Sequence, residues 1–124
     1  AEVTLVEPVD LLVHNDRVWV ADRSESTILV FDRFGKYLRS VGFGQLHGLR
    51  SISVSPQPER PSKIWVTLDH EVRVYSDSGR FEAIVAVETE DRLVAVQPVG
   101  QHVYVLTETQ LIRYNREKDQ NPQD

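Results

Sequence analysis

Three acidic residues occupy comparable places in the sequence, each at the end of a run of apolar residues: Asp22, Asp69 and Glu108. Carboxylates that share one rim of a protein can hold a hard cation such as Ca²⁺ through their oxygen atoms, and a pair of them can hydrolyse a glycosidic bond. An acid at a strand end more often accepts hydrogen bonds from the backbone N–H groups of the following turn. We expect this second, structural role for the three acids, and no bound metal.

Histidine and arginine provide a second group of candidates. The loop FGQLHGLR contains His47 and Arg50 together with two glycines, and it is the most chemically versatile connection in the chain. None of the histidines lies at the i, i+2 or i, i+4 spacing that a metal pair on a strand or helix uses. His70 is predicted in a loop on the same face as His47, so a shared site and ordinary surface positions are both open, and we favour the second. The candidate binding residues of this face are His47, Arg50, Asp22, Asp69, His70 and Glu108.

No motif of a common enzyme class occurs in the 124 residues. The sequence lacks the G-x-S-x-G nucleophile motif, the H-E-x-x-H zinc motif and a phosphate-binding loop. It also contains no cysteine, which excludes disulfides and thiolate metal sites. The net charge of −5 repels phosphate backbones, and no apolar run approaches the roughly 20 residues that span a bilayer. We therefore expect no cofactor, no nucleic-acid partner and no transmembrane segment.

The candidate residues lie between short stretches in which apolar and polar residues alternate, which is the pattern of β-strands. Two stretches, VFDRFGKYLRSVG and VYSDSGRFEAIVA, begin 44 residues apart and match almost residue for residue. Trp19, Trp65 and Tyr104 mark the same place in three successive units. A repeat of about 40 to 45 residues with four short strands is typical of a β-propeller blade. We therefore predict an all-β fold of four-stranded antiparallel blades, with three blades in this chain.

Each unit is predicted to run from an inner strand a to an outer strand d. The predicted strands of the first unit are residues 8–14, 17–22, 27–32 and 37–42, and those of the second are residues 49–55, 63–69, 71–77 and 80–87. The third unit has only three, over residues 92–98, 102–107 and 111–115. The blades are predicted to end at residue 117, before a polar tail over residues 118–124 that cannot supply an outer strand.

The missing outer strand is predicted at the other end of the chain. EVTLVEPVDLLV aligns with AIVAVETEDRLVAV, so Glu2 to Val6 is interpreted as an outer strand and the strand order becomes d-abcd-abcd-abc. Three blades are too few for a ring, because closed propellers typically have four to eight. Two alternatives follow. Either two copies form a six-bladed ring, in which each copy lends the strand from Glu2 to Val6 to the other, or the chain is part of a longer six-bladed chain.

The stretch DRVWVADRSESTILVFDRFGKYLRSVG, followed by FGQLHGLRSISVS, resembles the NHL-type and related bacterial six-bladed β-propellers. The second blade keeps KIWVTLD and VYSDSGRF of this pattern, and the third keeps HVYVLTE and LIRYN. The resemblance implies a propeller fold that binds partners or ligands on one face. Together with the absence of methionine, it favours a periplasmic or extracytoplasmic location over a cytoplasmic one.

These observations favour a non-enzymatic β-propeller module that binds a protein or peptide partner and completes a six-bladed ring as a homodimer. One alternative is half of a propeller enzyme, a lyase or hydrolase, with His47, Arg50 and the acids of the rim at the mouth of the central channel. Another alternative is a sensor that binds a small ligand at the same place. Because one fold carries many functions, the fold alone does not choose among these three.

Overall fold

Eleven β-strands make up the regular structure of residues 3–55 and 61–115, the part of the chain that the computed structural model describes. They are β1 (Pro8–His14), β2 (Arg17–Asp22), β3 (Thr27–Asp32), β4 (Tyr37–Val41), β5 (Leu49–Val54), β6 (Lys63–Leu68), β7 (Val72–Ser76), β8 (Phe81–Val85), β9 (Leu93–Val99), β10 (His102–Thr107) and β11 (Leu111–Asn115). The predicted all-β fold is confirmed. The predicted tail over residues 118–124 lies outside the described residues.

Within residues 3–55 and 61–115, no helix is long and apolar enough to cross a membrane.

The strands form three antiparallel sheets in chain order, which we call sheet 1 (β1 to β4), sheet 2 (β5 to β8) and sheet 3 (β9 to β11). Every strand within a sheet pairs with the next strand along the chain. Trp19, Trp65 and Tyr104 hold the third position of β2, β6 and β10, so the three sheets repeat one another. Sheets 1 and 2 have four strands, whereas sheet 3 has three among the described residues.

The hairpins β3–β4 and β7–β8 account for the two matching stretches of sequence. In each hairpin a glycine N–H donates to the carbonyl oxygen three residues earlier, from Gly35 to Asp32 at 3.0 Å and from Gly79 to Ser76 at 2.9 Å. The two glycines have φ angles of +87° and +96°, a conformation that strongly favours a residue without a Cβ atom. The repetition in the sequence is therefore structural, because the same bulged hairpin is built twice.

Apolar side chains fill two separate cores, one between sheets 1 and 2 and the other between sheets 2 and 3. The alternation along β6 serves both cores, since Ile64 and Val66 belong to the first and Trp65 belongs to the second. Trp19 lies in the first core, so each tryptophan packs against the sheet that follows its own. Ile64 and Val66 lie on the face of sheet 2 that packs against sheet 1, which we call its preceding face. Trp65 lies on the face that packs against sheet 3, which we call its following face. The equivalent faces of sheets 1 and 3 take the same names.

The first strands of the three sheets, β1, β5 and β9, lie side by side and are joined by side chains. The carboxylate of Asp10 accepts a hydrogen bond from the N–H of Ile52 at 2.9 Å, and the hydroxyl of Ser53 donates to the carbonyl of Val96 at 2.7 Å. These bonds satisfy backbone groups at strand edges that no neighbouring strand pairs. The inner strands thus line a common axis, as strand a of each predicted blade should.

The predicted strand from Glu2 to Val6 is not a strand within residues 3–7, and Glu2 itself lies outside the described residues. The N–H groups of Val6 and Glu7 instead donate to the carboxylate of Asp22, at 2.8 and 3.0 Å. Residues 3–7 therefore lead into the inner strand of sheet 1 as the connections from β4 to β5 and from β8 to β9 lead into the inner strands of sheets 2 and 3.

Chain length explains why the alternating pattern of residues 2–6 misled the prediction. A connection from an outer strand to the inner strand of the next sheet crosses three strand spacings, about 14 Å. Glu7 alone would have to bridge this distance before β1 begins at Pro8, and one residue spans at most about 3.6 Å. An exchange of this segment between two copies would therefore require β1 itself to leave sheet 1.

Candidate functional site

The most polar cluster of the predicted channel mouth is built around Asp69, directly after β6. The two Nη groups of Arg23 donate to the carboxylate of Asp69, Nη2 to Oδ2 at 3.0 Å and Nη1 to Oδ1 at 3.3 Å. Nη1 of Arg23 also donates to the carbonyl of Leu49 at 3.0 Å. Arg50 approaches from the other side, with Nη1 3.6 Å from Oδ1 of Asp69. Arg23 directly follows β2 of sheet 1 and Asp69 directly follows β6 of sheet 2, so the pair joins the two sheets at this rim.

The electrostatics of the cluster keep Asp69 ionised. The hydrogen bond from Arg23 lowers the pKa of Asp69, burial acts in the opposite direction, and the charges of Arg23, Arg92 and Arg50 lower it further. The same hydrogen bond raises the pKa of Arg23. A general acid at neutral pH needs a raised carboxyl pKa, so this carboxylate is poorly suited to that role. Arginine also occupies the space in which a cation would have to bind.

The loop FGQLHGLR closes tightly against this cluster. Gly48 has a φ of +75°, and a Cβ at this position would stand 2.8 Å from Oδ2 of Asp69. Arg50 is the extra residue of a β-bulge between Leu49 and Ser51 in the pairing of β5 with β6. Bulges re-aim side chains, and this one directs Arg50 toward Asp69. The corresponding bulge residues of β1 and β9 are valines.

Asp22 is buried, and its carboxylate binds backbone N–H groups instead of facing a site for a ligand. Its carboxylate accepts hydrogen bonds from the N–H groups of Val6 and Glu7, and from that of Glu25 in the following turn at 3.3 Å. Burial raises the pKa of Asp22, but these backbone hydrogen bonds together outweigh burial and lower it. Asp22 is the last residue of β2, whereas Asp69 is the first residue after β6. Asp22 therefore lies one position earlier in its repeat than Asp69 does, although the two acids were predicted at equivalent positions.

The remaining candidate residues do not join the Asp69 cluster. His47 is exposed, with Nδ1 3.3 Å from the hydroxyl of Ser26, and His70 is exposed in the turn between β6 and β7. Glu108 lies 4.0 Å from Arg92, and both side chains are about half exposed. No group of three or more His, Asp or Glu side chains in the described ranges is arranged to hold a metal ion.

Sequence reasoning missed Arg23, the main partner of Asp69. A signal was available, because Arg23 follows β2 directly, just as Asp69 follows β6 and Glu108 follows β10. Opposite charges at the same repeat position of neighbouring sheets indicate a contact between the sheets.

The outward sides of sheets 1 and 3 form a second candidate site, which we call the end faces. Leu11, Ile52 and Val96 hold the same place in β1, β5 and β9, opposite Val20, Val66 and Val105. Leu11 is 60% exposed, whereas Ile52 and Val96 are 6% and 3% exposed. Val9 and Val13 beside Leu11 are exposed as well. The preceding face of sheet 1 is therefore an apolar sheet surface that no described part of the chain covers.

The following face of sheet 3 shows the same effect. Leu106 and Leu111 pair with each other as Ala21 pairs with Ile28 in sheet 1. Ala21 and Ile28 are fully buried, whereas Leu106 and Leu111 are 43% and 68% exposed. The apolar residues of an end face are thus those that an adjacent sheet covers elsewhere in the molecule.

No protein-family model matches the sequence, and no curated protein sequence matches it either. Solved structures do resemble it. Virginiamycin B lyase from Staphylococcus aureus, in its selenomethionine form, matches with a TM-score of 0.59 and 11% identity over 88% of this chain and 41% of the lyase. U3-55K matches with a TM-score of 0.60 and 12% identity over 86% of this chain and 36% of its own.

KlHsv2, with its loop 6CD replaced by a Gly-Ser linker, matches with a TM-score of 0.56 and 10% identity, over 89% of this chain and 36% of its own. The chain thus spans between 36% and 41% of the length of these solved structures. All three have propeller-type folds. At such low identity the likeness concerns the fold, and no family model supports the resemblance to the NHL type. The three sheets are blades, and the chain has a β-propeller fold.

Proposed function

We propose that this chain is a non-enzymatic β-propeller module whose function is to bind protein, and that its first partner is a second copy of itself. One observation carries the proposal. Positions that are buried between neighbouring blades inside the chain are exposed on its two end faces.

A second copy offers the surface that each end face lacks. The preceding face of sheet 1 is of the same kind as the preceding face of sheet 2, which packs against sheet 1. The following face of sheet 3 carries Tyr104 where sheets 1 and 2 carry Trp19 and Trp65. The following face of one copy and the preceding face of another can therefore meet as sheets 1 and 2 do. Two such contacts close a two-fold ring of six blades, within the range of four to eight that closed propellers use.

The polar cluster at the rim supports a structural rather than a catalytic role. Its carboxylate is held by two arginines of neighbouring elements and has a lowered pKa. The cluster stabilises the contact between two blades, which suits a module that binds other proteins through rigid surfaces. Pairing through the end faces leaves residues 3–7 in place against Asp22, so it needs no exchange of the amino-terminal segment.

The test is the solution mass of the chain across a dilution series, measured by light scattering. We expect a mass near twice 14.2 kDa that falls toward 14.2 kDa on dilution. Leu11→Glu places a charge on the preceding face of sheet 1 and should give a monomer, because burying an unpaired charge is costly.

Phe34→Glu is the matched control, because Phe34 is 81% exposed but lies in the β3–β4 turn, away from both end faces. It should leave the dimer intact. A wild-type chain that stays monomeric at every concentration, or a Leu11→Glu chain that dimerises as tightly as the wild type, would contradict the proposal.

A further inference from the structure

The outer edge of sheet 3 differs from those of sheets 1 and 2. In sheets 1 and 2 a fourth strand, β4 or β8, pairs with the third. In sheet 3 the third strand is β11, and no strand of the described residues pairs with its outer edge. From Leu111 to Tyr114, the part of β11 that corresponds to the residues of β3 paired with β4, this edge can offer N–H and C=O groups to another extended chain.

The fourth strands β4 and β8 share a simple pattern, YLRSV and FEAIV, with an aromatic first residue and valine at the fifth position. The aromatic residue packs edge to face against the aromatic residue of the third strand. The ring centroids of Phe31 and Tyr37 are 5.9 Å apart, and those of Tyr75 and Phe81 are 5.7 Å apart. A fourth strand in this fold thus contacts the third strand through an aromatic residue at its beginning and carries a valine at its end.

Tyr114 occupies in β11 the place of Phe31 and Tyr75. It pairs with Val103 of β10, just as Phe31 pairs with Val18 and Tyr75 with Ile64. No aromatic ring in residues 3–55 or 61–115 lies against that of Tyr114, so its side of the aromatic pair is open.

The residues after β11 lack the sequence pattern of a fourth strand. Tyr37 and Phe81 each follow the aromatic residue of the third strand by six positions, and Gln120 stands six positions after Tyr114. Gly35 and Gly79, which need positive φ angles, correspond to Lys118. The last nine residues, REKDQNPQD, contain no aromatic residue, valine, isoleucine or leucine.

An apolar cleft of about 450 Å³ lies beside the free edge, between sheets 2 and 3. It is lined mainly by the following face of sheet 2 and the preceding face of sheet 3, including Val72, Val85, Val87, Val103, Val105 and Tyr114. The N–H of Glu88 donates to the hydroxyl of Tyr114 at 3.1 Å and ties the two sheets together beside the cleft. Side chains of a fourth strand that share the face of Tyr114, its aromatic residue among them, would adjoin this cleft.

We propose that β11 accepts, as a fourth strand, an extended segment of a partner polypeptide with an aromatic residue followed four positions later by valine. The segment runs antiparallel to β11. Its aromatic ring packs against Tyr114, and its valine lies opposite Leu111, as Val41 lies opposite Ile28 in sheet 1. Backbone hydrogen bonds along β11 give affinity, and the aromatic and valine positions give specificity. The inference rests on the proposed role in protein binding and names the kind of segment bound. The aromatic residue of the segment lies on the preceding face of sheet 3, away from the end faces, whereas its valine adjoins Leu111 at the border of the following face.

The chain contains a probe for this site, because β8 is itself a fourth strand. A fluorescein-labelled peptide with the sequence of residues 79–87, GRFEAIVAV, is titrated with the full-length chain, and binding is followed by fluorescence anisotropy. We expect saturable binding, and binding about tenfold weaker for the peptide with Phe81→Ala, which loses the ring and its buried area. A scrambled peptide should not bind.

Two protein variants locate the peptide. Tyr114→Leu should weaken binding several-fold, while Tyr104→Leu, the same change on the opposite face of sheet 3, should leave it unchanged. Circular dichroism confirms that both variants are folded. The proposal is overturned if the Phe81→Ala or scrambled peptide binds as well as the original, or if Tyr104→Leu weakens binding and Tyr114→Leu does not. A monomeric chain that binds the peptide as expected would refute pairing with a second copy and support the strand site, and a dimer that does not bind it would do the reverse.

Discussion

Asp22 offers a direct test of how the amino-terminal segment is held. Its Oδ2 accepts the N–H of Val6 at 2.8 Å, and its Oδ1 accepts those of Glu7 at 3.0 Å and Glu25 at 3.3 Å. Asp22→Asn keeps the shape of the side chain but replaces one carboxylate oxygen by an NH₂ group. If the amide oxygen keeps Glu7 and Glu25, the NH₂ group faces the N–H of Val6, and two donors meet.

The expected loss follows from these contacts. A hydrogen bond to a charged group contributes roughly 1.5–3 kcal/mol, and because Val6 is 57% exposed, water can reach the N–H that loses its acceptor. We therefore expect Asp22→Asn to lower the free energy of unfolding by about 1.5–3 kcal/mol at pH 7. With a urea m-value of about 2 kcal/mol/M, the unfolding midpoint should fall by about 0.8–1.5 M.

The pH dependence has a definite sign. The pKa of Asp22 is lower in the folded state, because backbone N–H bonds outweigh burial, so its contribution to stability is present above the unfolded pKa of about 4. That contribution disappears as the pH falls through the folded pKa. The difference between the wild type and Asp22→Asn should therefore shrink below about pH 4. Asp69, whose pKa is also lowered, makes both proteins less stable in acid and does not alter this difference.

Urea denaturation followed by tryptophan fluorescence, at pH values from 7 to 2, measures both effects. Asp16→Asn is the control, because Asp16 is exposed and has a φ of 60°, which asparagine also tolerates. It should unfold like the wild type. A loss below about 0.5 kcal/mol for Asp22→Asn at pH 7 would show that the backbone hydrogen bonds do not depend on the carboxylate, since surface substitutions fall within that range.

Three further predictions use the same structure. Trp19→Ala should lower the free energy of unfolding by about 3–5 kcal/mol in urea titrations, because Trp19 is buried between sheets. Tyr104→Ala at the same repeat position should cost less than about 1 kcal/mol under monomeric conditions, because Tyr104 is only partly buried, and equal losses would contradict an open following face of sheet 3. Arg23→Met should cost about 1 kcal/mol at pH 7 after solvent screening, and the loss should shrink in acid as Asp69 becomes protonated, leaving the part that comes from the hydrogen bond to Leu49; a loss that does not change with pH would show that the ion pair with Asp69 contributes nothing. Removal of residues 1–5 should leave the mass in light scattering unchanged, and a smaller mass would restore the exchanged strand.

The strands and the repeat could be predicted because they depend on local patterns. Alternation of apolar and polar residues located β2 and β10 to the residue, and glycines marked the bulged turns. The site depends on distances between blades, which the pattern does not contain. Arg23 lies 46 positions from Asp69, and only the packing of sheet 1 on sheet 2 brings them together. The segment from Glu2 to Val6 was assigned to a strand because its alternation resembles β8, without regard to the length of chain needed to reach β1.

Asp22 illustrates a third reason. An acid near a strand end looks the same in sequence whether it caps a turn or faces a channel, because both positions follow apolar residues. A shift of one residue in register turns the side chain to the opposite side of the strand. Asp22 is consequently buried against backbone, while Asp69 reaches two arginines.

The two apolar cores share no residue, and each lies between two blades rather than inside one. The stability of a blade therefore depends on the surface of its neighbours, as in other repeat proteins. Duplication of a gene segment that encodes one blade would copy an interface that already packs well, so no new core would have to evolve. Chains of this kind can gain or lose whole blades in evolution, and the closure of the ring, with the chain's own blades or with those of a partner, is the constraint that selects their number.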